Sequence, residues 1–282
     1  MKRINTAAIY GVGLIGGSIG KALLKKRIAK TVIGIGRNIK RLRIALKEKA
    51  VTEVSLNLKK AGKADLVVLA TPVINIEKTL KAISPYLKNG CIVTDVGSTK
   101  EKIVNAALKC LPKNVCFVGS HPIAGSEKSG VINSSDKLFK DSVCVITPEK
   151  TTNKKALIII KNIWKILGAR IVMMNPSEHD RVIALTSHLP HFLADSLVLT
   201  VLKADNKQIL PFIGKGFKDT TRIAASNPEL WAEIAVSNKN NVCKGLDKIV
   251  KYIKAVKKYI TRDENNKLKR LLLKAKEQRE RI

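Results

Sequence analysis

Six residues near the amino terminus constrain the fold of this chain more strongly than any other feature. Gly11-Val12-Gly13-Leu14-Ile15-Gly16 follows an apolar, strand-like run at residues 7–10 and precedes a helix-forming segment. In such a place the first glycine makes a tight turn, the second lets a pyrophosphate approach the backbone, and the third packs helix on strand. The amino terminus of the helix then faces the anion. The residues expected to contact a dinucleotide are Gly11, Gly13, Leu14, Ile15 and Gly16.

Strand-like and helical segments alternate over the first part of the chain. Between most of the apolar runs lie Lys/Leu/Ile segments of helical period, for example residues 18–26 and 155–167. The predicted strands are residues 7–10, 31–35, 66–70, 91–95, 116–119, 143–147 and 171–174. This alternation is typical of an α/β protein with a doubly wound parallel sheet.

The pattern becomes helical at Asn175. Asn175-Pro176-Ser177-Glu178 has an N-cap residue, a proline at the first helical position and an acidic first turn. Beyond it the sequence is almost entirely helix-forming. We therefore predict two domains, a dinucleotide-binding domain over residues 1–174 and an all-helical domain over residues 175–282.

The turn after the second predicted strand bears on which dinucleotide is bound. A carboxylate about 20 residues after the glycines usually holds the ribose 2′-hydroxyl of NAD. Here Gly34-Ile35-Gly36-Arg37-Asn38 contains no acid, and Arg37 stands where a 2′-phosphate would lie. The alternative is a surface arginine beside the adenine of an NAD enzyme. We predict NADP as the preferred cofactor and keep NAD as the second candidate.

Polar residues follow three other predicted strands. Thr71 and Pro72 come after residues 66–70, Ser98 comes after residues 91–95, and His121 comes after residues 116–119. One polar loop with a histidine would be unremarkable by itself. Because the carboxyl ends of parallel strands share one edge of the sheet, we expect the three segments together to line a crevice beside the nicotinamide.

All four histidines lie between positions 121 and 191. His188 and His191 are three residues apart, which places them near one face of a helix. We expect no metal site, because no cysteine or carboxylate completes a ligand set around them. A structural role is the alternative for His188. His179, which stands between Glu178 and Asp180 in a first turn, is expected to be a surface residue or a local cap.

The net charge of +31 is the compositional oddity of the chain. The lysines are spread over nearly every predicted helix, and aromatic residues make up only 4% of the sequence, too few for a platform that stacks bases. Two explanations stay open: solvated, lysine-rich helix faces, or a field that attracts anionic ligands. We expect no nucleic-acid partner.

Other features indicate the compartment. No apolar run approaches the roughly 20 residues of a membrane span, and the amino terminus lacks the features of a signal peptide. Five widely spaced cysteines suit a reducing environment. We therefore expect a cytoplasmic protein without a membrane partner.

At this point the sequence resembles the prephenate/arogenate dehydrogenase family of tyrosine biosynthesis, essentially from end to end. The matching motifs are GVGLIGGS (11–18), TDVGSTK (94–100), GSHPIAGSEKSG (119–130), SEHD (177–180), SHLPH (187–191), GFKDTTRIA (216–224) and PELW (228–231). The resemblance implies a Rossmann domain followed by a helical domain that forms a homodimer. It also implies NAD(P)-dependent oxidative decarboxylation of prephenate to 4-hydroxyphenylpyruvate, or of arogenate to tyrosine.

The resemblance further assigns roles to single residues. His121 would accept a hydrogen bond or a proton from the substrate's 4-hydroxyl, Ser98 would orient that histidine or the hydroxyl, and Arg222 would hold a carboxylate. Because the base must be neutral, kcat/KM is expected to rise with pH near the ordinary histidine value of about 6.5. The other substrate-binding residues implied are His188, His191, Ser126, Glu127, Asp219 and Trp231. Asp219 and Trp231 match positions near the family's subunit junction.

More than one candidate remains for the substrate and for the class of protein. His191 and Glu127 favour prephenate, whereas Ser126 replaces a common threonine, and a glutamate could also receive the ammonium of arogenate. Another hydroxyacid or imine reductase of the same architecture is the nearest rival. A basic nucleic-acid binder with a vestigial nucleotide fold and a regulatory protein that senses a nucleotide are the alternatives from other classes.

Overall fold

The computed structural model describes residues 4–125, 128–202 and 207–281. The strands are β1 (Ile4–Tyr10), β2 (Ala29–Ile35), β3 (Glu53–Ser55), β4 (Leu66–Leu69), β5 (Ile92–Asp95), β6 (Cys116–Ile123), β7 (Val143–Thr147) and β8 (Arg170–Met173). The helices are α1 (Leu14–Lys25), α2 (Ile39–Lys47), α3 (Val73–Ile83), α4 (Glu101–Cys110), α5 (Lys154–Ile166), α6 (Pro176–Ile183), α7 (Leu189–Val201), α8 (Lys215–Thr221), α9 (Pro228–Ser237), α10 (Lys239–Thr261) and α11 (Asn265–Arg279).

The strands form one eight-stranded sheet in the order β3-β2-β1-β4-β5-β6-β7-β8. Every neighbouring pair from β3 to β6 is parallel, which confirms the predicted α/β class. The pair β6–β7 is antiparallel, so the sheet is mixed at this side. In its described part, the connection from β6 to β7 has only a one-turn helix, Val131–Asn133, whereas parallel strands are usually joined by a full crossover helix.

Alternate residues of the strands build a core on each face of the sheet. In β1, Ala7 and Ile9 pack on the face covered by α1 and α5. Ala8 and Tyr10 pack on the opposite face, against α3 and α4. Because strand side chains alternate between the two faces, this doubly covered sheet explains why the central strands read as continuous apolar runs.

Two strands differ from the sequence prediction. The three-residue strand β3 was not predicted, because Glu53–Ser55 lacks an apolar run and lies at the edge of the sheet. The strand β6 continues through His121 and Pro122 to Ile123, four residues past its predicted end. Its second half pairs with β7 instead of β5, with His121 opposite Val145. His121 therefore lies on a strand and not in a loop, so that part of the prediction was wrong.

The chain separates into two compact units. One extends to Asn238 and contains the sheet together with α1 to α9, and the other begins at Lys239 and contains α10 and α11. This division differs from the boundary at residue 174, which rests on the change from mixed to helical sequence. Within residues 175–202 and 207–281 no strand occurs. The two-domain boundary at 174 stays a prediction.

Within the described residues, one helix is long and apolar enough to cross a membrane by length and composition. It spans Pro176–Val201 and joins α6 and α7 through a π-helical segment, Ala184–His188. Pro190 lies at the start of α7 and cannot donate the backbone hydrogen bond of a regular helix, which is consistent with the local widening. The helix also carries buried polar residues: His179 contacts His121 on β6, and Asp180 accepts the backbone N–H of Lys100 before α4.

Candidate active site

The predicted site residues leave neighbouring strands at one edge of the sheet. Residues 11–16, here called the glycine turn, follow β1, Thr71 follows β4, Ser98 follows β5, and His121 lies near the end of β6. These strands are adjacent in the order β1-β4-β5-β6 and run parallel. The structure thus gathers these segments at the carboxyl edge, where open α/β sheets bind their ligands.

Each glycine of the turn meets a different steric demand. Gly11 has φ +87°, and a Cβ there would lie 2.5 Å from the carbonyl oxygen of Ala70. A Cβ on Gly16 would overlap the carbonyl oxygen of Gly11. By contrast, a Cβ on Gly13 would meet no described atom within 4 Å. Space is therefore open at the start of α1, where Gly13 is the N-cap residue and provides no side-chain cap.

The turn and its neighbours fit a dinucleotide. The uncapped amino terminus of α1, with no acidic residue in its first turn, favours an anion such as a pyrophosphate. The buried hydroxyl oxygen of Thr71 has no hydrogen-bond partner within the described residues, so it is available to a bound molecule. Pro72 beside it is the N-cap residue of α3. Arg37 is exposed in the turn after β2, next to Asn38, which caps α2.

His121 is a buried imidazole at this edge, with 9% of its surface exposed. Its Nδ1 lies 2.8 Å from Nε2 of His179. Burial lowers the pKa of His121 well below its ordinary 6.5, and the neighbouring His179, Lys100 and His188 lower it further. The imidazole is therefore neutral at physiological pH and can accept a proton. Ser98 is half-buried in the adjoining loop between β5 and α4.

The placement of His179 corrects the sequence analysis. It is fully buried and not a surface residue, because α6 packs against α4 and β7. Its Nδ1 lies 2.8 Å from Oδ1 of Asp180. Burial lowers the pKa of His179, although the Asp180 carboxylate opposes that effect. Sequence reasoning missed this pair, since adjacent charged residues in a first turn are typical of solvent exposure.

A second buried group was also missed. Lys100 and Asp95 are fully buried, and their side chains form an ion pair. The Lys100 ammonium also donates to the carbonyl of Ser120, 3.0 Å away. Burial lowers the pKa of Lys100, and the Asp95 carboxylate opposes that effect. The available signal was an aspartate at the end of an apolar strand, five residues before a lysine.

His188 and His191 lie further along the same long helix as Asp180, and both are buried. Burial lowers the pKa of His188 to about 4. The His191 ring stacks on Trp231, with centroids 3.5 Å apart and an interplanar angle of 11°. Nε2 of His188 and Nδ1 of His191 have no hydrogen-bond partner among the described residues. We call His121, His179, His188 and His191 the histidine cluster.

The remaining predicted residues divide into two groups. Asp219 on α8 and Arg222 on the following one-turn helix, Arg222–Ala225, are exposed. Both elements pack against α7, which carries His191. Ser126 and Glu127 lie outside the described residues. Within the described residues, no group of three or more histidine, cysteine, aspartate or glutamate side chains could hold a metal ion.

Comparisons with known proteins agree with this arrangement. The nucleotide-binding domain model of prephenate dehydrogenase matches residues 19–173, and the dimerization domain model of prephenate dehydrogenase matches residues 175–274. Prephenate dehydrogenase of Bacillus subtilis (strain 168) is 36% identical over 283 residues, covering 98% of this chain and 76% of that protein.

Two solved structures show the same fold over nearly the whole chain. Prephenate dehydrogenase from A. aeolicus, in complex with hydroxyphenyl propionate and NAD+, is similar with a TM-score of 0.91 and 35% identity, covering 98% of this chain and 97% of that chain. Synechocystis arogenate dehydrogenase is similar with a TM-score of 0.82 and 28% identity, covering 98% and 99%. This chain therefore belongs to the prephenate/arogenate dehydrogenase family of NAD(P)-dependent oxidoreductases.

Proposed function

We propose that this protein oxidises prephenate with an NAD(P)+ cofactor, releasing CO2 and forming 4-hydroxyphenylpyruvate. The observation that carries the proposal is His121, a buried neutral imidazole at the sheet edge that also carries the glycine turn. A neutral imidazole there can accept the proton of a substrate hydroxyl while the hydroxyl carbon is oxidised. Membership of the family supports this reaction class.

The cofactor supplies the hydride acceptor when it is bound. Gly11, Gly13 and Gly16 would hold its pyrophosphate against the start of α1, with the backbone of Leu14 and Ile15 as donors. Thr71, Pro72 and Ser98 would line the nicotinamide side. For the finer choice we propose NADP, since Arg37 is exposed after β2 and residues 34–38 contain no carboxylate. A tenfold preference for NAD in kcat/KM would contradict this choice.

The substrate would lie between the sheet edge and the helix that follows β8. His121 accepts the 4-hydroxyl proton, and Ser98 orients that hydroxyl. Arg222 would bind a carboxylate by charge-assisted hydrogen bonds. The residues proposed to complete the substrate site are His188, His191, Ser126, Glu127, Asp219 and Trp231, and the ring nitrogens of His188 and His191 that lack partners support this role.

We propose that the protein is a homodimer through its helical part. The dimerization domain model covers residues 175–274. Large apolar side chains within these residues are exposed to solvent in the single chain: Leu199 is 70% exposed and Phe212 is 86% exposed. A partner subunit would remove this surface from water. We further propose a cytoplasmic location, as the spacing of the cysteines indicates.

Arogenate is the second candidate substrate, because the Synechocystis arogenate dehydrogenase has the same fold over nearly the whole chain. The deciding experiment uses the purified protein with prephenate or arogenate and with NAD+ or NADP+, and follows absorbance at the reduced-nicotinamide band. The proposal predicts the highest kcat/KM for prephenate with NADP+. A higher value for arogenate would replace the substrate, and no turnover of either compound would contradict the proposed function.

A further inference from the structure

The surroundings of Asp180 make its carboxylate an acceptor of hydrogen bonds and not a donor. Its Oδ1 accepts the backbone N–H of Lys100 at 2.7 Å, and its Oδ2 accepts that of Glu101 at 3.1 Å. These groups open α4, whose N-cap residue Lys100 provides no side-chain cap. Both carboxylate oxygens of Asp180 thus act as acceptors, and a carboxylate has no proton to donate. Asp180 therefore offers lone pairs to His179.

The position of His179 then fixes the protons along the chain. Its Nδ1, 2.8 Å from Oδ1 of Asp180, must carry a hydrogen because the oxygen is an acceptor. His179 is fully buried, and burial lowers its pKa, so the ring is neutral and its Nε2 has a lone pair. That Nε2 lies 2.8 Å from Nδ1 of His121, so Nδ1 of His121 is the donor. The other nitrogen of His121, Nε2, is left with a lone pair.

We propose that His179 and Asp180 are positioning residues that hold His121 in the tautomer with its hydrogen on Nδ1, so that Nε2 accepts the proton of the substrate hydroxyl. The proposal rests on the proposed function for the identity of that hydroxyl. It does not depend on that function for the tautomer, which the hydrogen bonds within the protein determine. An imidazole without such hydrogen bonds can carry its hydrogen on either nitrogen. A histidine base therefore also needs a partner that leaves the lone pair on the nitrogen facing the substrate.

The proton and electrons balance in this scheme. The 4-hydroxyl proton passes to Nε2 of His121 while the C4–H electron pair leaves as hydride to the cofactor. The bond between C1 and the ring carboxylate then breaks, CO2 departs, and its electron pair completes the aromatic ring. The phenol oxygen recovers the proton from His121. Between these steps the imidazolium is stabilised by the negative charge of Asp180, which acts through His179.

The groups around His121 make that compensation necessary. Among the described residues, the titratable groups that face it are His179 on α6, Lys100 before α4, His188 in the π-helical segment and Cys144 on β7. Lys100 and His188 both disfavour a positive charge on His121. The Asp95 carboxylate is already paired with the Lys100 ammonium. The Asp180 carboxylate is therefore the one that is connected to His121, through the imidazole ring of His179.

Two amide substitutions at His179 separate positioning from simple structural support. His179→Gln places an amide near the former Nε2, where its oxygen can accept from His121, but it loses the bond to Asp180. His179→Asn places the amide near the former Nδ1, where it can bond Asp180 but does not reach His121. We expect kcat to fall about tenfold in His179→Gln and about 10²–10³-fold in His179→Asn, with KM changed less than about threefold in both. A purely structural role predicts equal losses, or the larger loss in His179→Gln.

The tautomer itself is read by nitrogen NMR of 15N-histidine-labelled protein without substrate. We expect the His121 signals of the unsubstituted protein to show hydrogen on Nδ1, and those of His179→Asn to show a shift toward hydrogen on Nε2. Hydrogen on Nε2 of His121 in the unsubstituted protein would overturn the proposal. If neither prephenate nor arogenate is turned over, the proposed function fails, while the NMR result still decides whether His179 sets the tautomer of His121.

Discussion

The glycine turn and the histidine cluster lie at the same edge of the sheet, yet they are formed in different ways. The turn consists of six consecutive residues, and its steric demands come from Gly11 itself and from Ala70 in the adjacent loop. The histidine cluster joins β6 to α6 and α7. It depends on the contact of His121 with His179, 58 positions apart, and on the hydrogen bond between Lys100 and Asp180, 80 positions apart, that holds α6 against α4. The first is therefore readable as a sequence motif, whereas the second exists only once α6 has packed against α4.

The largest expected effect falls on the histidine cluster. His121→Asn removes the nitrogen that accepts the substrate proton, so we expect kcat to fall 10²–10⁴-fold with little change in the KM for the cofactor. Steady-state kinetics measure this, and unchanged thermal unfolding serves as the control for folding. A kcat within about threefold of the unsubstituted protein would remove His121 from the mechanism. Of the two regions compared, the glycine turn would then be the only one with a functional role.

The next largest effect is expected for the buried ion pair between Lys100 and Asp95, which lies next to the histidine cluster. Lys100→Met leaves the buried Asp95 carboxylate without its cation, which should cost roughly 3–5 kcal/mol in the free energy of unfolding. Lys81→Met is the matched control, because Lys81 pairs with Glu77 on the exposed surface, and its loss in the free energy of unfolding should be much smaller. Urea unfolding compares them. Similar losses in the two variants would show that the buried pair is not a structural element of the site.

Two alanine substitutions sharpen the description of the glycine turn. Gly11→Ala forces a side chain into a left-handed conformation and against Ala70, so it should destabilise the protein by about 1–3 kcal/mol. Gly13→Ala meets no described atom and should change stability by less than about 0.5 kcal/mol, while raising the KM for the cofactor. Unfolding curves and cofactor titrations distinguish them. A Gly13→Ala protein with unchanged cofactor KM would argue against the proposed position of the pyrophosphate.

The last effect is a gradual change of stability with pH. Burial lowers the folded-state pKa of His121, His179 and His188, whereas the unfolded chain binds protons at the ordinary value near 6.5. Stability from these residues is complete above pH 6.5 and is lost as pH falls below it, by up to about 1.4 kcal/mol per pH unit for each histidine. Urea unfolding at pH values between about 7.5 and 5 measures the slope. His188→Gln should reduce that slope, and an unchanged slope would contradict the buried neutral state of His188.

Much of the fold was predictable because its signals are local. Apolar runs that alternate with helical periods gave the parallel part of the sheet, and Asn175-Pro176 marked the start of α6. The antiparallel return of β7 was not predictable from the same signal, since period and composition do not encode strand direction. The extension of β6 through His121 and Pro122 was missed for a related reason: a histidine followed by a proline is typical of a loop end, but pairing with β7 stabilises it as a strand.

The site was predictable only as a set of positions. The resemblance singled out His121, Ser98 and Arg222 by their motifs. Lys100 lies in the motif at 94–100, and His179 and Asp180 lie in the motif at 177–180, without an assigned catalytic task. Their contacts depend on where α6 lies relative to α4, which is a tertiary property. Sequence reasoning also placed the working pKa of His121 near 6.5, because it could not include burial or the nearby Lys100 charge.

The pH dependence of kcat/KM for prephenate tests the central claim most directly, because it reports the protonation of the base in the free enzyme. The structure predicts that kcat/KM is still at its plateau at pH 6.5, since burial and Lys100 hold the pKa of His121 well below that value. A profile that has already lost half of its plateau value at pH 6.5, and does so in parallel for Lys100→Met, would contradict a buried, neutral His121 as the proton acceptor.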